Sequence, residues 1–169
     1  MTAARRWSLV LAGLALLAGP ARAQTAPDPL IGAWVGTYTC AQGLTAVRIT
    51  IAEASSSGAR AMFHFYADPR NPQVPTGCYL MDGAYDPATR QVVLRAGRWI
   101  VQPLGYVGVD FVGTLDATGT RLAGEVRGPR CTAFELRKTE EPPAARSGCS
   151  IPIATRSGSA FGPVSAWRR

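Results

Sequence analysis

Between Ala33 and Lys138, apolar and polar residues alternate with a period of two. Val47, Ile49 and Ile51 share one face of a segment whose other face carries Arg48 and Thr50. Phe63 and Phe65 oppose Met62, His64 and Tyr66. Val109, Phe111 and Leu115 oppose Asp110 and Thr114. A period of two sends successive side chains to opposite faces of a pleated strand, one of them toward a core. No helical period of useful length interrupts the pattern. It predicts eight strands: Ala33–Cys40, Leu44–Ala54, Ala59–Asp68, Gly77–Asp86, Arg90–Ala96, Tyr106–Asp116, Arg121–Gly128 and Cys131–Lys138.

The links decide how these strands meet. Ser55-Ser56-Ser57-Gly58, Asp86-Pro87-Ala88-Thr89-Arg90 and Asp116-Ala117-Thr118-Gly119-Thr120 are short polar turns of hairpin type. A meander of this kind leaves two edges of unpaired backbone, and closure into a barrel removes both. The expected fold is all-β: an eight-stranded antiparallel up-and-down barrel with no substantial helix. A two-sheet sandwich is the alternative.

The two ends of such a barrel differ. With the start of the first strand as the bottom, the three polar turns all lie there. The top carries Ala41-Gln42-Gly43, the stretch from Pro69 to Thr76, the stretch from Gly97 to Gly105, and Pro129-Arg130. These links are longer and stiffened by proline. Binding residues collect on longer loops over a rigid scaffold. Trp99, Tyr106, Arg70 and Arg98 are therefore the candidate ligand-binding residues. Trp99 has two readings, a ring that stacks on a sugar or one folded down to cap the barrel.

The N-terminus reads as a secretory signal peptide over residues 1–23. Arg5 and Arg6 precede the apolar run Ser8 to Ala18, and Ala21-Arg22-Ala23 offers small residues for cleavage before Gln24. The run is short of the ~20 residues a membrane-spanning helix needs, and no later segment reaches that length. The expected location is periplasmic or secreted. The barrel domain is expected over residues 24–138. Residues 139–169, rich in Ser, Gly, Ala, Pro and Arg, read as a disordered basic tail.

Charge follows the same division. The formal net charge is +7, yet residues 24–136 hold nine arginines and nine acidic residues. The basicity sits in the signal peptide and in the tail, which carries Arg146, Arg156, Arg168 and Arg169. A neutral domain argues against nucleic acid, which requires a concentrated basic face. The tail is suited to weak contact with anionic envelope surfaces.

Four cysteines, Cys40, Cys78, Cys131 and Cys149, follow the signal peptide, and an even count in an exported chain points to disulfides. In the meander, the end of strand one and the start of strand eight share a rim, so a Cys40–Cys131 bond is favoured. Cys78 lies on the same rim, which keeps Cys40–Cys78 open. Cys149 reaches Cys78 or stays free. No cysteine pair has metal-ligand spacing, and no metal or other cofactor is expected. His64 is the sole histidine and lacks a nucleophile motif around it. The acidic residues have the positions of turn and surface groups. No catalytic residue is assigned and no enzymatic activity is expected.

Gly32-Ala33-Trp34 opens the first strand and Arg137 closes the last. This pairing resembles the lipocalins and the wider calycin family, barrels that bind small apolar molecules. The resemblance implies that Trp34 plugs the closed end with Arg137 packed over its ring. The family's helix after the last strand has no counterpart here, which argues against a spacious cavity. Tyr38-Thr39-Cys40-Ala41-Gln42-Gly43, leading into Leu44 to Ile51, is similar to the opening of the periplasmic lysozyme-inhibitor family. That likeness implies loops inserted into an enzyme's cleft. The wider pattern also resembles small exported bacterial proteins of unknown function. Trp34, Tyr38, Phe63, Phe65, Phe111 and Phe134 are expected to fill the interior, leaving recognition to the rim.

The expected function is therefore an exported, non-enzymatic binding protein that recognises a small ligand or glycan through its top loops. The alternative is a protein-interaction module, such as a periplasmic enzyme inhibitor, that engages an envelope protein.

Overall fold

The computed structural model describes residues 28–140 and Cys149. The expected signal peptide and all of the expected tail beyond Glu140 except Cys149 lie outside the described residues. Eight strands follow one another: β1 (Gly32–Cys40), β2 (Gly43–Ser55), β3 (Gly58–Tyr66), β4 (Gly77–Asp86), β5 (Gln91–Val101), β6 (Asp110–Leu115), β7 (Arg121–Arg127) and β8 (Ala133–Thr139). Each pairs antiparallel with the next, and β8 returns to β1, so the sheet is a closed up-and-down barrel. The described residues contain no helix.

Closure is set by the β1–β8 seam, which runs from Ala33 opposite Thr139 to Tyr38 opposite Phe134. One residue pair beyond it, the Thr132 amide donates to the Thr39 carbonyl at 3.0 Å. The Cys40–Cys131 disulfide then fastens the top of the seam across 91 residues of chain.

The phase of the alternation decides what fills the barrel. Trp34, Tyr38, Val47, Ile49, Ile51, Phe63, Phe65, Tyr79, Phe111, Leu115, Leu122, Phe134 and Leu136 all turn inward and form one buried cluster. Phe63 is the hub, with its ring centroid 4.6 Å from Tyr79, 5.3 Å from Phe111 and 5.6 Å from Tyr38. Aromatic pairs at such distances add electrostatic preference to their burial.

Two inward positions are glycines for a steric reason. Gly113 and Gly124 stand opposite each other on β6 and β7, and Gly124 stands opposite Phe134 on β8. A Cβ at Gly113 would lie 2.7 Å from the Phe134 ring, and one at Gly124 would lie 2.4 Å from the Gly113 Cα. The Phe134 ring fills the space these residues leave and packs 4.5 Å from Phe111.

The strand boundaries differ from expectation by more than two residues in two places. β5 runs five residues past Ala96, and β6 starts at Asp110 rather than Tyr106. The register of β4 against β5 shifts between Tyr79–Trp99 and Met81–Ala96. A bulge there breaks the period of two while pairing continues, which hides the strand's true end from a pattern reading.

The outer wall carries its own cluster. Cys78 is bonded to Cys149, and the pair is buried with Met62 and against Leu80. Outward-facing Arg48 and Thr50 are buried on the same side of the barrel. Cys149, expected in the tail, is thus tied to β4.

Candidate functional site

The closed end is a plug. Asp28 to Ile31 folds beneath the barrel, with the Leu30 amide donating to the Asp28 side chain at 2.9 Å. Leu30 and Trp34 are both fully buried, and the Trp34 indole N–H donates to the Leu30 carbonyl at 2.9 Å. The cation over the Trp34 ring is Lys138, with Nζ 5.4 Å from the ring centroid. Nζ also donates to the Pro29 carbonyl. This corrects the expectation for Arg137. A strand alternates its side chains, so adjacent residues cannot both reach the plug. Arg137 points to solvent and stands 3.5 Å from the Glu135 carboxylate.

The two acidic turns at this end hold themselves. Asp86 accepts from the Ala88 amide at 2.9 Å and from the Thr89 hydroxyl at 2.7 Å. Asp116 accepts from the amides of Thr120 and Arg121 at 2.8 and 3.0 Å and from the Thr118 hydroxyl at 2.6 Å. Those donors, the Thr118 hydroxyl foremost, lower the Asp116 pKa to about 2.

The open end holds a cup of about 380 Å³. Its floor and walls are the rings of Tyr38, Phe63, Phe65, Tyr79 and Tyr106. Its lip includes Gln42, Val107, Pro129 and the Cys40–Cys131 bridge. The Gln42 amide donates to the hydroxyls of Tyr38 and Thr45, both at 3.1 Å. The Tyr79 hydroxyl donates to the Val109 carbonyl at 2.9 Å and accepts from the Val109 amide at 3.2 Å. Burial pushes the phenol pKa of Tyr38 and of Tyr79 well above the usual value, so both stay protonated.

The loops around the cup are braced. Between β3 and β4, Asp68 is buried and takes a two-pronged hydrogen bond from the Arg70 guanidinium at 2.9 and 3.1 Å. The Arg70 guanidinium holds the Asp68 carboxyl below its ordinary pKa. Asn71 donates to the carbonyls of Gln42 and Leu44 at 2.8 and 3.0 Å, which pins this loop to the β1–β2 turn. Between β5 and β6, the Tyr106 amide donates to the Pro103 carbonyl at 3.2 Å. Gly105, with φ of 78°, makes that tight turn, since a side chain is disfavoured at that backbone angle.

Of the four expected ligand-binding residues, one lies on the cup. Tyr106 forms a wall and stacks on Phe65 at 5.3 Å with 14° between the ring planes. Trp99 is in β5 rather than in a loop. Its ring meets Tyr79 edge-on at 4.7 Å and Phe65 at 6.3 Å, and it backs the cup from outside the lining. Arg98 is exposed on the outer face of β5. Arg70 is committed to Asp68. Tyr38 and Phe65, expected to fill the interior, and Tyr79 and Gln42 complete the site. The signal for the aromatics was their phase: each is an inward position near the top of its strand.

A second concavity, about 590 Å³, lies beside the β2–β3 hairpin between Ile31, Glu53, Arg60 and Gly83. It has no aromatic wall, and Glu53, Ser55, Ser57, Arg60 and Asp82 along it are exposed. His64 stands on the outer wall, opposite Arg48 on β2 and 5.3 Å from the Tyr66 ring. Among the described residues, no group of His, Cys, Asp and Glu is arranged to hold a metal ion. Compared with family models, curated proteins and solved structures, the chain matches none.

Proposed function

We propose that this protein is a non-enzymatic binding barrel that holds a small neutral ligand or a glycan unit in the cup at its open end. The aromatic cup carries the reading. At about 380 Å³ it falls within the ~300–1,000 Å³ of small-molecule sites. Its lining has no charged side chain, which favours a neutral ligand. The tyrosine faces offer stacking to a sugar or aromatic ring, and the Gln42 amide offers a polar contact at the lip. Protonated tyrosines are poor bases, and neither a carboxylate nor an imidazole lines the cup, which supports binding without chemistry. The two disulfides fit an oxidising compartment, where an exported binding protein works. Among the described residues no helix is long and apolar enough to cross a membrane.

The test is a titration with neutral oligosaccharides and with small aromatic compounds, followed by backbone amide chemical shifts. Binding in the cup should move the Gln42, Phe65, Tyr79 and Tyr106 amides together. Tyr106→Ala should weaken that ligand at least tenfold. Shifts confined to the β2–β3 hairpin, or a Tyr106→Ala variant that binds unchanged, would place recognition elsewhere.

A further inference from the structure

The four exposed large apolar residues among those described fall in one short stretch. They are Ile100, Val101, Leu104 and Val107, at the end of β5 and in the loop that follows. Leu104 is fully exposed and Val107 is 57% exposed. The loop is held for this purpose from behind. Tyr106 stacks into the cup, Gln102 donates to the Tyr106 carbonyl at 2.9 Å, and the turn at Gly105 leaves Leu104 outermost.

Charges of both signs stand near this tip. Asp68 is paired with Arg70 and Glu125 with Arg127, and Asp110 accepts from the Ala96 amide, while Arg98 and Arg130 make no ion pair among the described residues. Arg130 sits between Pro129 and Cys131 on the lip of the cup, and Arg98 is exposed two residues before Ile100.

We propose that the open end docks on an anionic lipid surface, with Leu104 and Val107 entering the interface and Arg98 and Arg130 facing the headgroups. An apolar tip flanked by arginine has the two elements that interfacial binding combines, buried apolar area and attraction to anionic lipid. The size of the patch favours lipid over a second copy of the chain. A stable protein interface buries about 1,600 Å², which four side chains do not supply. A bilayer needs no matching shape. The docking does not depend on what occupies the cup, although it would turn the cup's mouth toward the membrane.

The chain from Gln24 to Arg169 should co-sediment with vesicles of equal parts phosphatidylcholine and phosphatidylglycerol, and far less with phosphatidylcholine alone. Leu104→Asp combined with Val107→Asp should lower that partition by roughly tenfold or more, since the apolar insertion is lost. Arg98→Gln should lower it about fivefold on the anionic vesicles only. All three substitutions fall at exposed positions, so melting temperature should stay within a degree or two, about what surface changes give. Three outcomes overturn the proposal. One is no binding to either vesicle. Another is binding that the double substitution leaves intact, which would assign it to the arginines of residues 141–169. The last is concentration-dependent self-association, by light scattering, that Leu104→Asp abolishes.

Discussion

The two ends of this barrel are built from the same strands and finished in opposite ways. At the closed end Leu30 and Trp34 are buried to the last atom, with the Trp34 indole bonded to the Leu30 carbonyl and the Leu30 amide to Asp28. Its turns are short, and Asp86 and Asp116 wrap their own loops. At the open end the loops are longer, a cup remains between aromatic rings, and Leu104 stands wholly in solvent. Bracing is not what differs. Asp68–Arg70, the Asn71 clamp and the Cys40–Cys131 bridge fix the open end as firmly as the turns fix the other. A rigid end that leaves apolar surface uncovered fits the binding role proposed for it.

This contrast can be broken by substitution. The largest effect belongs to the plug. Trp34→Ala should lower stability by about 3–5 kcal/mol in chemical denaturation, because a large cavity opens in the closed end. Any ligand of the cup should still bind to the fraction that remains folded. Next comes the seam. Replacing Cys40 and Cys131 together by serine should lower stability by about 2–4 kcal/mol, since the bond closes a loop of 91 residues in the unfolded chain. A far smaller loss would mean that the backbone ladder alone closes the barrel.

Tyr106→Ala should reverse the pattern. Because the ring is only partly buried, stability should fall by about 1 kcal/mol, while cup binding falls at least tenfold. Parallel melts and titrations would separate the two effects. Smaller still is the test of the cation over Trp34. Lys138→Met should lower stability by about 0.5–1 kcal/mol, and Arg137→Met by about half a kcal/mol or less. The reverse order would return the closing role to Arg137.

The smallest effect is a pH dependence at the closed end. Asp116 has its pKa lowered from 3.8 to about 2 by the hydrogen bonds of its turn. A carboxyl with a depressed folded-state pKa stabilises above its unfolded value, and that contribution disappears as pH falls through the folded value. Stability should therefore drop between about pH 4 and pH 2, and Asp116→Asn should drop less over that window in parallel thermal melts. His64 adds a shallower slope of the same sign. Burial and then Arg48 depress its pKa, so its contribution to stability falls away below pH 6.5.

Much of the fold was legible because alternation and turn chemistry are local. Val47, Ile49 and Ile51 declare the inward face of β2, and Asp86 and Asp116 mark hairpin turns. Topology favours the Cys40–Cys131 pairing, because a closed meander of eight strands brings those two ends together, but Cys78 on the same rim leaves Cys40–Cys78 open until the structure joins Cys78 to Cys149. The errors have separate causes. Trp99 was placed in a loop because the bulge opposite Tyr79 interrupts the period without ending the strand. Arg137 takes the closing role only in the family resemblance; the alternation of β8 instead puts Lys138 in phase with Phe134 and Leu136 and so on the Trp34 side. Arg70 read as a free binding cation because nothing in Asp68-Pro69-Arg70 reveals that the pair closes on itself.

The sequence by itself determined an all-β chain, the order of its strands, the faces they bury and the charge of its segments. These depend on neighbours along the chain, and the period of two reports them directly. Only the tertiary structure decided that a cup survives above the packed rings, that Cys149 is tied to Cys78, and which side chains line the lip. Those depend on distances across the barrel, where Phe134 fills the space of two glycines while Tyr38, Phe65, Tyr79 and Tyr106 stop short of filling theirs. Volume left over between residues far apart in sequence has no signature in the order of residues, and the candidate site of this protein is made of that volume.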